Sequence, residues 1–454
     1  MNDNYLKFIE SKKHSSIDHG IKPVFIPDVM FEYQKYVTEY AIKKGRCAVF
    51  LDTGLGKTII ELTVARNYAE VTNKRTLIIT PLAVAFQFVK EAEKFDLCDI
   101  EYSKDGKFTK DIVVCNYERL DKFSPSDFGC VVLDESSILK NFNGAIKTKI
   151  TKFLRKVEYR FLFTATPSPN DFVELGTSSE ALGYMGYTDM LTKFFTNNED
   201  TIKPQNIGTK WILKGHAKED FFSWVSSWSI SMRKPSDLGF SDDKYKLPNL
   251  HINYHAVENK ENLVVNGQIQ LFNQIAKSLT EVRTEQKLTR VDRCERAVEL
   301  TQDKDISVYW CNFNNEGDLL QKLDKEAYQI KGSMKLDQKE ELLLAFANGD
   351  IKKLITKAKM TAFGLNWQHC NHTVYFPTFS YEQYYQAIRR FWRFGQTKEV
   401  VCDMVYSDGQ KRVIDSLMAK AKKADNLFSK LNTAINGYVE KKSEFNKKLI
   451  LPKF

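Results

Sequence analysis

The sequence predicts an α/β protein with two parallel sheets, each covered by helices on both faces. Short apolar runs alternate with helix-length amphipathic segments between residues 47 and 167, and the same alternation resumes near residue 305. The chain has 454 residues, more than the roughly 250 residues that one hydrophobic core usually reaches. Strands that alternate with helices form doubly wound, mostly parallel sheets. We therefore expect two such cores, with a helical or irregular insertion between them.

The first core is predicted from apolar runs that end at small or polar residues. These strand candidates are residues 49–51, 77–80, 112–115, 131–133 and 160–163. The runs are short and continuous, as expected of strands that are buried on both faces. Ligands of open α/β sheets bind beside the carboxyl ends of the strands, so functional residues are expected there.

The second core follows a stretch without this alternation. Residues 196–210 are polar and turn-rich, and residues 211–228 are aromatic. Further on, strands are predicted at 306–310, 353–356 and 372–376, and helices at 258–304, 317–323, 380–393 and 413–448. The last of these carries many lysines, so we expect a solvated basic face. The predicted division is an N-terminal extension (1–30), a first lobe (31–175), an insertion and linker (176–250), a second lobe (251–410) and a basic tail (411–454).

Composition narrows the class of protein. Apolar residues make up 43% of the chain and charged residues 28%, which is ordinary for a globular protein. The eight cysteines form no CxxC pair and are expected to be buried free thiols. No apolar run is long enough to span a bilayer and no signal peptide is recognisable, so a cytoplasmic protein without membrane contact is expected. The net charge of +9 is compatible with a polyanionic partner without requiring one.

The glycine-rich stretch at residues 51–58 is the strongest functional signal. It lies between a predicted strand and a predicted helix, and it contains Gly54, Gly56, Lys57 and Thr58. Glycines let backbone N–H groups converge on phosphates at a helix N-terminus. Lys57 would reach the β- and γ-phosphates, and the Thr58 hydroxyl would bind Mg²⁺. A structural turn is the alternative, but the spacing and the flanking elements favour a nucleotide site.

Two adjacent acids, Asp134 and Glu135, follow another predicted strand of the same sheet. Asp134 would bind Mg²⁺, and Glu135 would orient or deprotonate the attacking water. In isolation an exposed acidic turn would explain them equally well. Thr164 and Thr166 follow the next strand, where they could link the nucleotide site to a moving element or form a plain turn.

Gln34 and an arginine cluster complete the nucleotide hypothesis. The Gln34 amide could bind the adenine edge, although a lone glutamine on a helix surface is also ordinary. Residues 386–396 contain Arg390 and Arg393, and arginine presents a rigid, permanently charged fork that suits a γ-phosphate. A basic helix face is the alternative for these arginines.

Taken in order, the segments resemble those of the superfamily-two helicases, and within them the Swi/Snf-type DNA translocases. Residues 31–34 resemble the adenine-reading glutamine motif, and residues 52–58 resemble motif I. Residues 133–141 are similar to motif II, residues 164–170 to motif III and residues 386–396 to motif VI. The resemblance covers about residues 30–410 and implies two RecA-like lobes that use ATP and Mg²⁺.

The resemblance also assigns DNA contacts. It implies that the DNA backbone is contacted by Thr80, Pro81, Asn116 and Tyr117 in lobe 1 and by Gly332, Ser333 and Asn366 in lobe 2. It further implies that Gly364 lies at the nucleotide and that Thr164, Thr166 and Gln386 couple the two sites. Three motifs depart from the usual family pattern. The departures are Ser136-Ser137 in motif II, Thr361-Ala362 in motif V and Trp392 in motif VI.

The expected function is an ATP-dependent DNA helicase or translocase that acts as a monomer on duplex, forked or branched DNA. The compact core resembles phage or prophage helicases, some of which drive branch migration or fork reversal, in a bacterial or phage-infected cytoplasm. One alternative is a double-stranded DNA translocase that remodels protein–DNA complexes without separating strands. Another is a nucleotide-gated DNA-binding protein with a vestigial ATPase. The aromatic insertion at 211–228 could be a wedge at DNA junctions or a cover over the core.

Overall fold

Two compact units make up the structure. The computed structural model describes residues 18–82, 84–140, 144–197, 211–243, 245–258, 264–265, 268–269, 279–361 and 366–448. Lobe 1 consists of the residues up to Pro81, Ala85–Tyr245 and the residues from Ala424 onward, and lobe 2 consists chiefly of Lys246–Lys423. The prediction of two parallel-sheet α/β units is confirmed, and each unit has its own sheet.

Lobe 1 contains a seven-stranded sheet with the order β3-β4-β2-β5-β6-β1-β9, in which every pair of neighbours is parallel. Its strands, together with the small antiparallel hairpin β7–β8, are β1 (Arg46–Leu51), β2 (Arg75–Thr80), β3 (Ile100–Tyr102), β4 (Ile112–Asn116), β5 (Phe128–Leu133), β6 (Tyr159–Thr164), β7 (Phe195–Asn197), β8 (Trp211–Leu213) and β9 (Ser229–Met232). The central strands are buried along nearly their whole length, which explains their unbroken apolar sequences.

Helices cover both faces of this sheet. They are α1 (Glu32–Lys44), α2 (Lys57–Thr72), α3 (Val84–Lys94), α4 (Ala145–Leu154), α5 (Leu175–Leu182), α6 (Tyr187–Phe194) and α7 (Lys218–Trp228). Because all seven sheet strands run in one direction, their carboxyl ends share one edge. The turns after β1, β2, β5 and β6 therefore bring the sequence-predicted residues to the same side of lobe 1.

Lobe 2 contains a six-stranded parallel sheet with the order β10-β17-β16-β13-β15-β14. Its strands and the short hairpin β11–β12 are β10 (Leu250–Val257), β11 (Val264–Val265), β12 (Gln268–Ile269), β13 (Ser307–Trp310), β14 (Ala327–Gln329), β15 (Lys353–Thr356), β16 (His372–Tyr375) and β17 (Val400–Ser407). The helices are α8 (Leu279–Leu288), α9 (Arg290–Glu299), α10 (Asn314–Leu323), α11 (Leu336–Asn348), α12 (Ala358–Thr361), α13 (Tyr381–Ile388) and α14 (Lys411–Lys448).

Much of the segment that we assigned to an insertion belongs to lobe 1. Strand β9 pairs with β1 and extends the sheet. Trp224 and Trp228 are 2% and 0% exposed and pack in the lobe 1 core beside Phe194 and Phe221. This packing favours the cover over the DNA wedge as the role of the aromatic segment. Of the polar loop that we predicted at 196–210, residues 198–210 lie outside the described residues.

The C-terminal helix also differs from the expected solvated tail. Its residues up to Lys423 belong to lobe 2, and its residues from Ala424 onward belong to lobe 1. Phe428, Leu431 and Ile435 are buried in the lobe 1 cluster, and Asp425 pairs with Arg233 at 2.9 Å. The apolar residues at helical spacing therefore form a packing face, while the lysines at positions 411, 420, 422, 423 and 430 are exposed.

The remaining sequence predictions concern the state of the cysteines and the absence of membrane-spanning helices. All eight cysteines are free, and every one except the partly exposed Cys98 is buried, as predicted. Cys370 and His372, which lie two residues apart, are both buried inside lobe 2. Among the described residues, no helix is both long enough and apolar enough to cross a bilayer.

Candidate nucleotide site and nucleic-acid contacts

The glycine-rich turn joins β1 to the N-terminus of α2, as the sequence predicted. Gly54 and Gly56 have φ angles of 84° and 78°, a left-handed conformation that favours glycine. A Cβ on Gly56 would lie 2.1 Å from Nε2 of Gln34, so a side chain would not fit there. Lys57 Nζ donates to the carbonyl oxygens of Leu51 and Asp52 at 3.0 and 3.3 Å, which holds its ammonium over the turn.

Gln34 lies beneath this turn. Its Oε1 accepts from the backbone N–H of Phe31 at 2.9 Å, and its Nε2 donates to the carbonyl of Leu55 at 3.2 Å. The side chain is 6% exposed. The amide therefore supports the phosphate loop from below, and its contact with an adenine stays a prediction.

Asp134 follows β5 and is held by hydroxyl groups from two neighbouring strand ends. Thr80 Oγ1 donates to Asp134 Oδ2 at 2.9 Å. The Tyr117 hydroxyl donates to the carbonyl of Asp134 and, at 3.2 Å, to that of Glu135. The turn after β5 is thereby fixed to β2 and to the segment after β4.

Glu135 adopts a left-handed backbone with a φ of 53°, which is uncommon for a residue with a side chain. Its Oε1 accepts from Thr164 Oγ1 at 2.7 Å. The same Thr164 oxygen accepts from the backbone N–H of Thr166 at 3.0 Å. The structure thus brings the predicted acid of motif II together with both predicted threonines of motif III.

The nucleotide site gathers several buried carboxyl groups around the ammonium group of Lys57. Burial, and then repulsion by Glu135, raises the pKa of Asp134 to about 6. Burial lowers the pKa of Lys57, although Glu135, Asp134 and Asp52 oppose that effect. Burial and the charge of Asp134 raise the pKa of Glu61 well above its ordinary value. Several carboxyl groups therefore share one ammonium group in a poorly solvated place.

The donor set fits a magnesium ion. Thr58, in the first turn of α2, supplies a hydroxyl oxygen, and Asp134 supplies a carboxylate oxygen; hard oxygen ligands of this kind suit Mg²⁺. Burial raises the pKa of Asp134 to about 6, and a bound divalent cation would favour the charged form of this carboxyl group. Both residues follow strands whose carboxyl ends meet at the same edge of the sheet.

The lobe 1 residues expected to contact DNA lie below the surface. Thr80 and Asn116 are 0% exposed, Tyr117 is 8% exposed, and Pro81 is buried. Asn116 Nδ2 donates to the Pro81 carbonyl at 3.2 Å, and its Oδ1 accepts from Tyr102. These polar groups have internal partners, so they hold the turns after β2 and β4 in position. Their direct contact with DNA stays a prediction.

The arginine cluster of lobe 2 follows a helix that is shorter than predicted. Helix α13 ends at Ile388, and the carbonyl of Arg390 accepts from the backbone N–H of Trp367 at 3.1 Å instead of continuing the helix. Arg390 and Gln386 are 4% and 1% exposed, and Arg393 is half-buried. The predicted helix over 380–393 is therefore wrong beyond residue 388, and the arginines lie in a buried turn.

The remaining predicted contacts of lobe 2 are divided between exposed and partly buried positions. Gly332 and Ser333 are exposed after β14, and Lys339 Nζ donates to the Gly332 carbonyl at 2.8 Å. Asn366 is half-buried, and its Oδ1 has no hydrogen-bond partner among the described residues. Gly364 lies outside the described residues.

Three residues near these segments had no assigned role in the sequence analysis. Glu61 lies on α2 with both carboxyl oxygens lacking hydrogen bonds within the described chain. The Tyr245 hydroxyl donates to the carbonyl of Thr53 in the phosphate loop at 3.1 Å. Arg389 stacks over Trp392, with 4.5 Å between guanidinium and ring, and Trp392 Nε1 donates to the Pro248 carbonyl at 2.7 Å. Of these residues, only Glu61 could have been identified from the sequence, because it is a charged residue among the apolar residues of α2.

A phosphate loop after β1, an acidic pair after β5 of the same sheet and a second parallel-sheet lobe with buried arginines define a two-lobed nucleotide-binding protein of the P-loop class. Residues 31–175 match the DEAD/DEAH box helicase family, and residues 286–395 match the helicase conserved C-terminal domain. The two helicase-domain matches follow each other along the chain, one in each lobe. These domains indicate an ATP-hydrolysing, helicase-type enzyme.

Comparison with characterised proteins gives partial matches. The DNA annealing helicase and endonuclease ZRANB3 of Mus musculus is 27% identical over 180 residues, and the Homo sapiens protein has the same identity. The match takes in 35% of this chain but 17% of the mouse protein.

Solved structures resemble the whole chain more broadly. Saccharomyces cerevisiae Dbp5 bound to RNA and ADP BeF3 has a TM-score of 0.54 at 13% identity, over 88% of this chain and 93% of that one. The Sulfolobus solfataricus SWI2/SNF2 ATPase core in complex with dsDNA gives 0.40 at 20% identity, over 91% and 96%. At such identities, the likeness to Dbp5 shows the fold alone.

Proposed function

We propose that this chain is a DNA-dependent ATPase that moves along duplex or branched DNA. The observation that carries the proposal is the hydrogen-bonded pair Thr164–Glu135 beside Asp134, on the sheet edge that also bears the phosphate loop. A buried carboxylate held by a hydroxyl at this position suits the orientation of an attacking water. A vestigial site would have no need for a strained backbone at Glu135.

Each of the nucleotide-site residues of lobe 1 has a distinct role in the proposed hydrolysis. Lys57 exchanges its carbonyl partners for the β- and γ-phosphates of ATP, which the glycine turn cradles with backbone N–H groups. Mg²⁺ bound by Thr58 and Asp134 would neutralise charge that develops on the phosphates. Glu135 orients the water and accepts its proton, and Thr164 keeps the carboxylate in place.

Lobe 2 supplies the arginines of the proposed reaction. Arg390 and Arg393 would stabilise the charge of the transition state, as arginine fingers do in related phosphoryl transfers. Arg389 has another task, because its guanidinium stacks on Tyr385 and Trp392 and holds the turn together. Trp392, which departs from the family pattern, anchors that turn to Pro248.

DNA binding is proposed on the exposed carboxyl edge of the lobe 2 sheet. Gly332 and Ser333 project there after β14, and Lys335 and Lys359 are exposed near the ends of β14 and β15. Lysines contact phosphates without reading sequence, so the movement would be sequence-independent and sensitive to salt. The name of the relative ZRANB3 includes DNA annealing, which supports DNA as the polymer. Branch migration or fork reversal would be a narrower form of this activity.

The proposal is tested with Lys57→Ala and Arg390→Ala in a DNA-stimulated ATPase assay. Loss of Lys57 removes the ammonium that binds the phosphates, and loss of Arg390 removes a charge that acts in the transition state. We expect each variant to lower kcat by at least about a thousandfold, with the arginine variant retaining nucleotide binding. Lys152→Ala, an exposed lysine of α4, serves as the control. Normal turnover in either variant would contradict the proposal, provided that circular dichroism shows a folded protein.

A further inference from the structure

Glu61 is a buried acid on α2, three residues after Thr58 and four residues after Lys57. It is 0% exposed, and neither of its carboxyl oxygens has a hydrogen-bond partner among the residues that the structure describes. A buried polar group without a partner costs free energy, and a buried charge costs more. An apolar residue would be more stable at this position, so packing alone does not explain an acid here.

The geometry of α2 directs Glu61 toward the nucleotide site. Residues three and four positions apart in an α-helix are neighbours on one face, so Glu61 shares a face with Thr58 and Lys57. The Cα–Cβ bonds of a helix also tilt toward its N-terminus. The side chain of Glu61 therefore leans back toward the first turn of α2, which follows the phosphate loop.

A contact with the sheet places this part of α2 close to Asp134. Thr76 Oγ1 donates to the carbonyl of Ala65 at 3.2 Å, which sets α2 against β2. As the connection between the parallel strands β1 and β2, α2 runs opposite to them, so its residues before Ala65 lie toward the carboxyl end of β2. That end is Thr80, whose hydroxyl donates to Asp134 Oδ2 at 2.9 Å.

The charges that act on Glu61 agree with this placement. Burial has the largest effect on the pKa of Glu61 and raises it; among the charged groups, Asp134 comes first and raises this pKa, and Lys57 follows and lowers it. Glu91 of α3 has a smaller effect than either. The two residues with the strongest influence on Glu61 are thus both assigned to the nucleotide site.

A magnesium ion in such a site needs acceptors beyond its direct ligands. Mg²⁺ keeps several water molecules when one or two carboxylates and substrate phosphates bind it. Protein groups that accept hydrogen bonds from these ligands raise the affinity for the metal. Asp134 and Glu135 each use one oxygen to accept from a threonine hydroxyl. Both oxygens of Glu61 are without such a bond within the described residues.

We propose that Glu61 is a positioning residue of the magnesium site and that its carboxylate accepts hydrogen bonds from water molecules bound to Mg²⁺. Thr58 and Asp134 would bind the ion directly, and Glu61 would orient its water shell and add a further negative charge. The same hydrogen bonds would satisfy a buried carboxyl group, as most buried polar groups are satisfied. This inference rests on the proposed function, because it requires a nucleotide and Mg²⁺ at the glycine loop.

The test measures the affinity of the whole chain for ADP by isothermal titration calorimetry, in EDTA and at increasing Mg²⁺ concentrations. In the wild type, Mg²⁺ should strengthen ADP binding. Glu61→Gln keeps the size of the side chain and removes the carboxylate, so the Mg²⁺ concentration that gives half of this effect should rise about 10- to 100-fold. The affinity for ADP in EDTA should not fall, because the variant loses no group that binds phosphate.

Glu70→Gln is the matched control, since Glu70 is an exposed acid on the same helix. It should show the magnesium dependence of the wild type. Glu61→Leu provides a second variant, because an apolar side chain suits a buried position. It should unfold at a higher temperature than the wild type and show the same loss of magnesium affinity.

The wild type separates the two ways in which this inference can fail. If Mg²⁺ strengthens ADP binding equally in the wild type and in Glu61→Gln, the inference is overturned and Glu61 has a structural role only. If Mg²⁺ has no effect on ADP binding in the wild type, the proposed magnesium site is contradicted, and the inference is overturned with it.

Discussion

Glu135 combines three properties that a catalytic carboxylate requires. Its left-handed backbone costs about 1–3 kcal/mol, and such strain persists where the surrounding contacts fix the conformation. Here the Tyr117 hydroxyl holds the carbonyl of Glu135, and the Thr164 hydroxyl holds its carboxylate. Glu135 is also buried, at 8% exposed. The geometry therefore directs one carboxylate oxygen while the other remains for the reaction.

Replacement of Thr164 with valine tests this orientation directly. Valine keeps the shape but removes the donor at 2.7 Å, so the carboxylate loses its position without loss of charge. We expect kcat for ATP hydrolysis to fall about 10- to 100-fold with little change in KM, as with other residues that position a reactive group. Thr148→Val, at an exposed position of α4, should behave as the wild type does. An unchanged kcat in Thr164→Val would assign Glu135 no catalytic role.

The raised pKa of Asp134 predicts that nucleotide binding depends on pH. Burial and the neighbouring Glu135 raise its pKa to about 6, and Mg²⁺ requires the deprotonated form. The affinity for Mg²⁺-ADP should therefore fall about tenfold per pH unit below about pH 6 and be constant above it. Calorimetric titrations between pH 5 and about pH 8 measure this change. A flat profile in the wild type would contradict the raised pKa of Asp134.

The same shift has the opposite sign for the stability of the unliganded protein. A carboxyl group whose pKa is higher in the folded than in the unfolded protein stabilises the fold at pH values below its unfolded-state pKa. This contribution is lost as the pH rises through about 6, the pKa in the folded protein. Asp134→Asn removes the buried charge, so this variant should unfold at a higher temperature than the wild type at neutral pH while losing activity. A lower Tm would mean that the carboxylate is stabilised by interactions other than those of Thr80 and Lys57.

At the level of elements, the second half of α14 is a structural part of lobe 1. Leu431 is fully buried in the lobe 1 cluster, between Phe428 and Ile435 on the same helix face. Leu431→Ala should lower the free energy of unfolding of lobe 1 by about 2–5 kcal/mol, because it removes buried methyl groups and leaves a cavity. Urea unfolding followed by tryptophan fluorescence measures the loss. The exposed neighbour Thr433→Ala should have little effect, and equal stabilities of the two variants would contradict the packing of this helix.

Local sequence patterns predicted the phosphate loop and the central strands of both sheets, but not the strands toward the sheet edges. Runs such as 131–133 are buried on both faces, so an unbroken apolar sequence was sufficient to identify them. Strand β9 was missed because its pairing with β1 joins residues that are far apart in the chain. The docking of α14 on lobe 1 is likewise a long-range contact, and its lysine-rich sequence favoured a solvated helix.

Side-chain roles were predictable where spacing defines them. Lys57 and Glu135 stand at fixed positions relative to a glycine turn and a strand end, and the structure brings both to one edge of the sheet. The hydrogen bond between Thr80 and Asp134 could not be anticipated, because it depends on the register between β2 and β5. The end of α13 at Ile388 was missed because the competing bond from Trp367 comes from another segment.

For the whole molecule, the modest charge of +9 matters less than its distribution. Lys335 and Lys359 are exposed on the edge of lobe 2 where DNA contact is proposed. Lys335→Ala/Lys359→Ala should weaken duplex binding and lower the slope of log affinity against log salt by about 1–2. Fluorescence anisotropy at several salt concentrations measures both quantities. Lys152→Ala/Lys156→Ala, a matched pair of exposed lysines in lobe 1, should leave the slope unchanged.

An unchanged slope in the lobe 2 variant would show that DNA does not contact this edge. The basal ATPase of both double variants, measured without DNA, should equal that of the wild type, because no lysine of either pair belongs to the nucleotide site. A loss of DNA-stimulated turnover in the lobe 2 variant alone would connect this surface with the motor activity.

The measurement that tests the central claim most directly is ATP hydrolysis with no nucleic acid, single-stranded DNA, duplex DNA, a four-way junction and RNA. A DNA translocase with the proposed site should be stimulated strongly by duplex DNA or by the junction, and Thr164→Val should lower that stimulated rate about 10- to 100-fold. Turnover that no nucleic acid increases, or that RNA alone increases, would contradict the account.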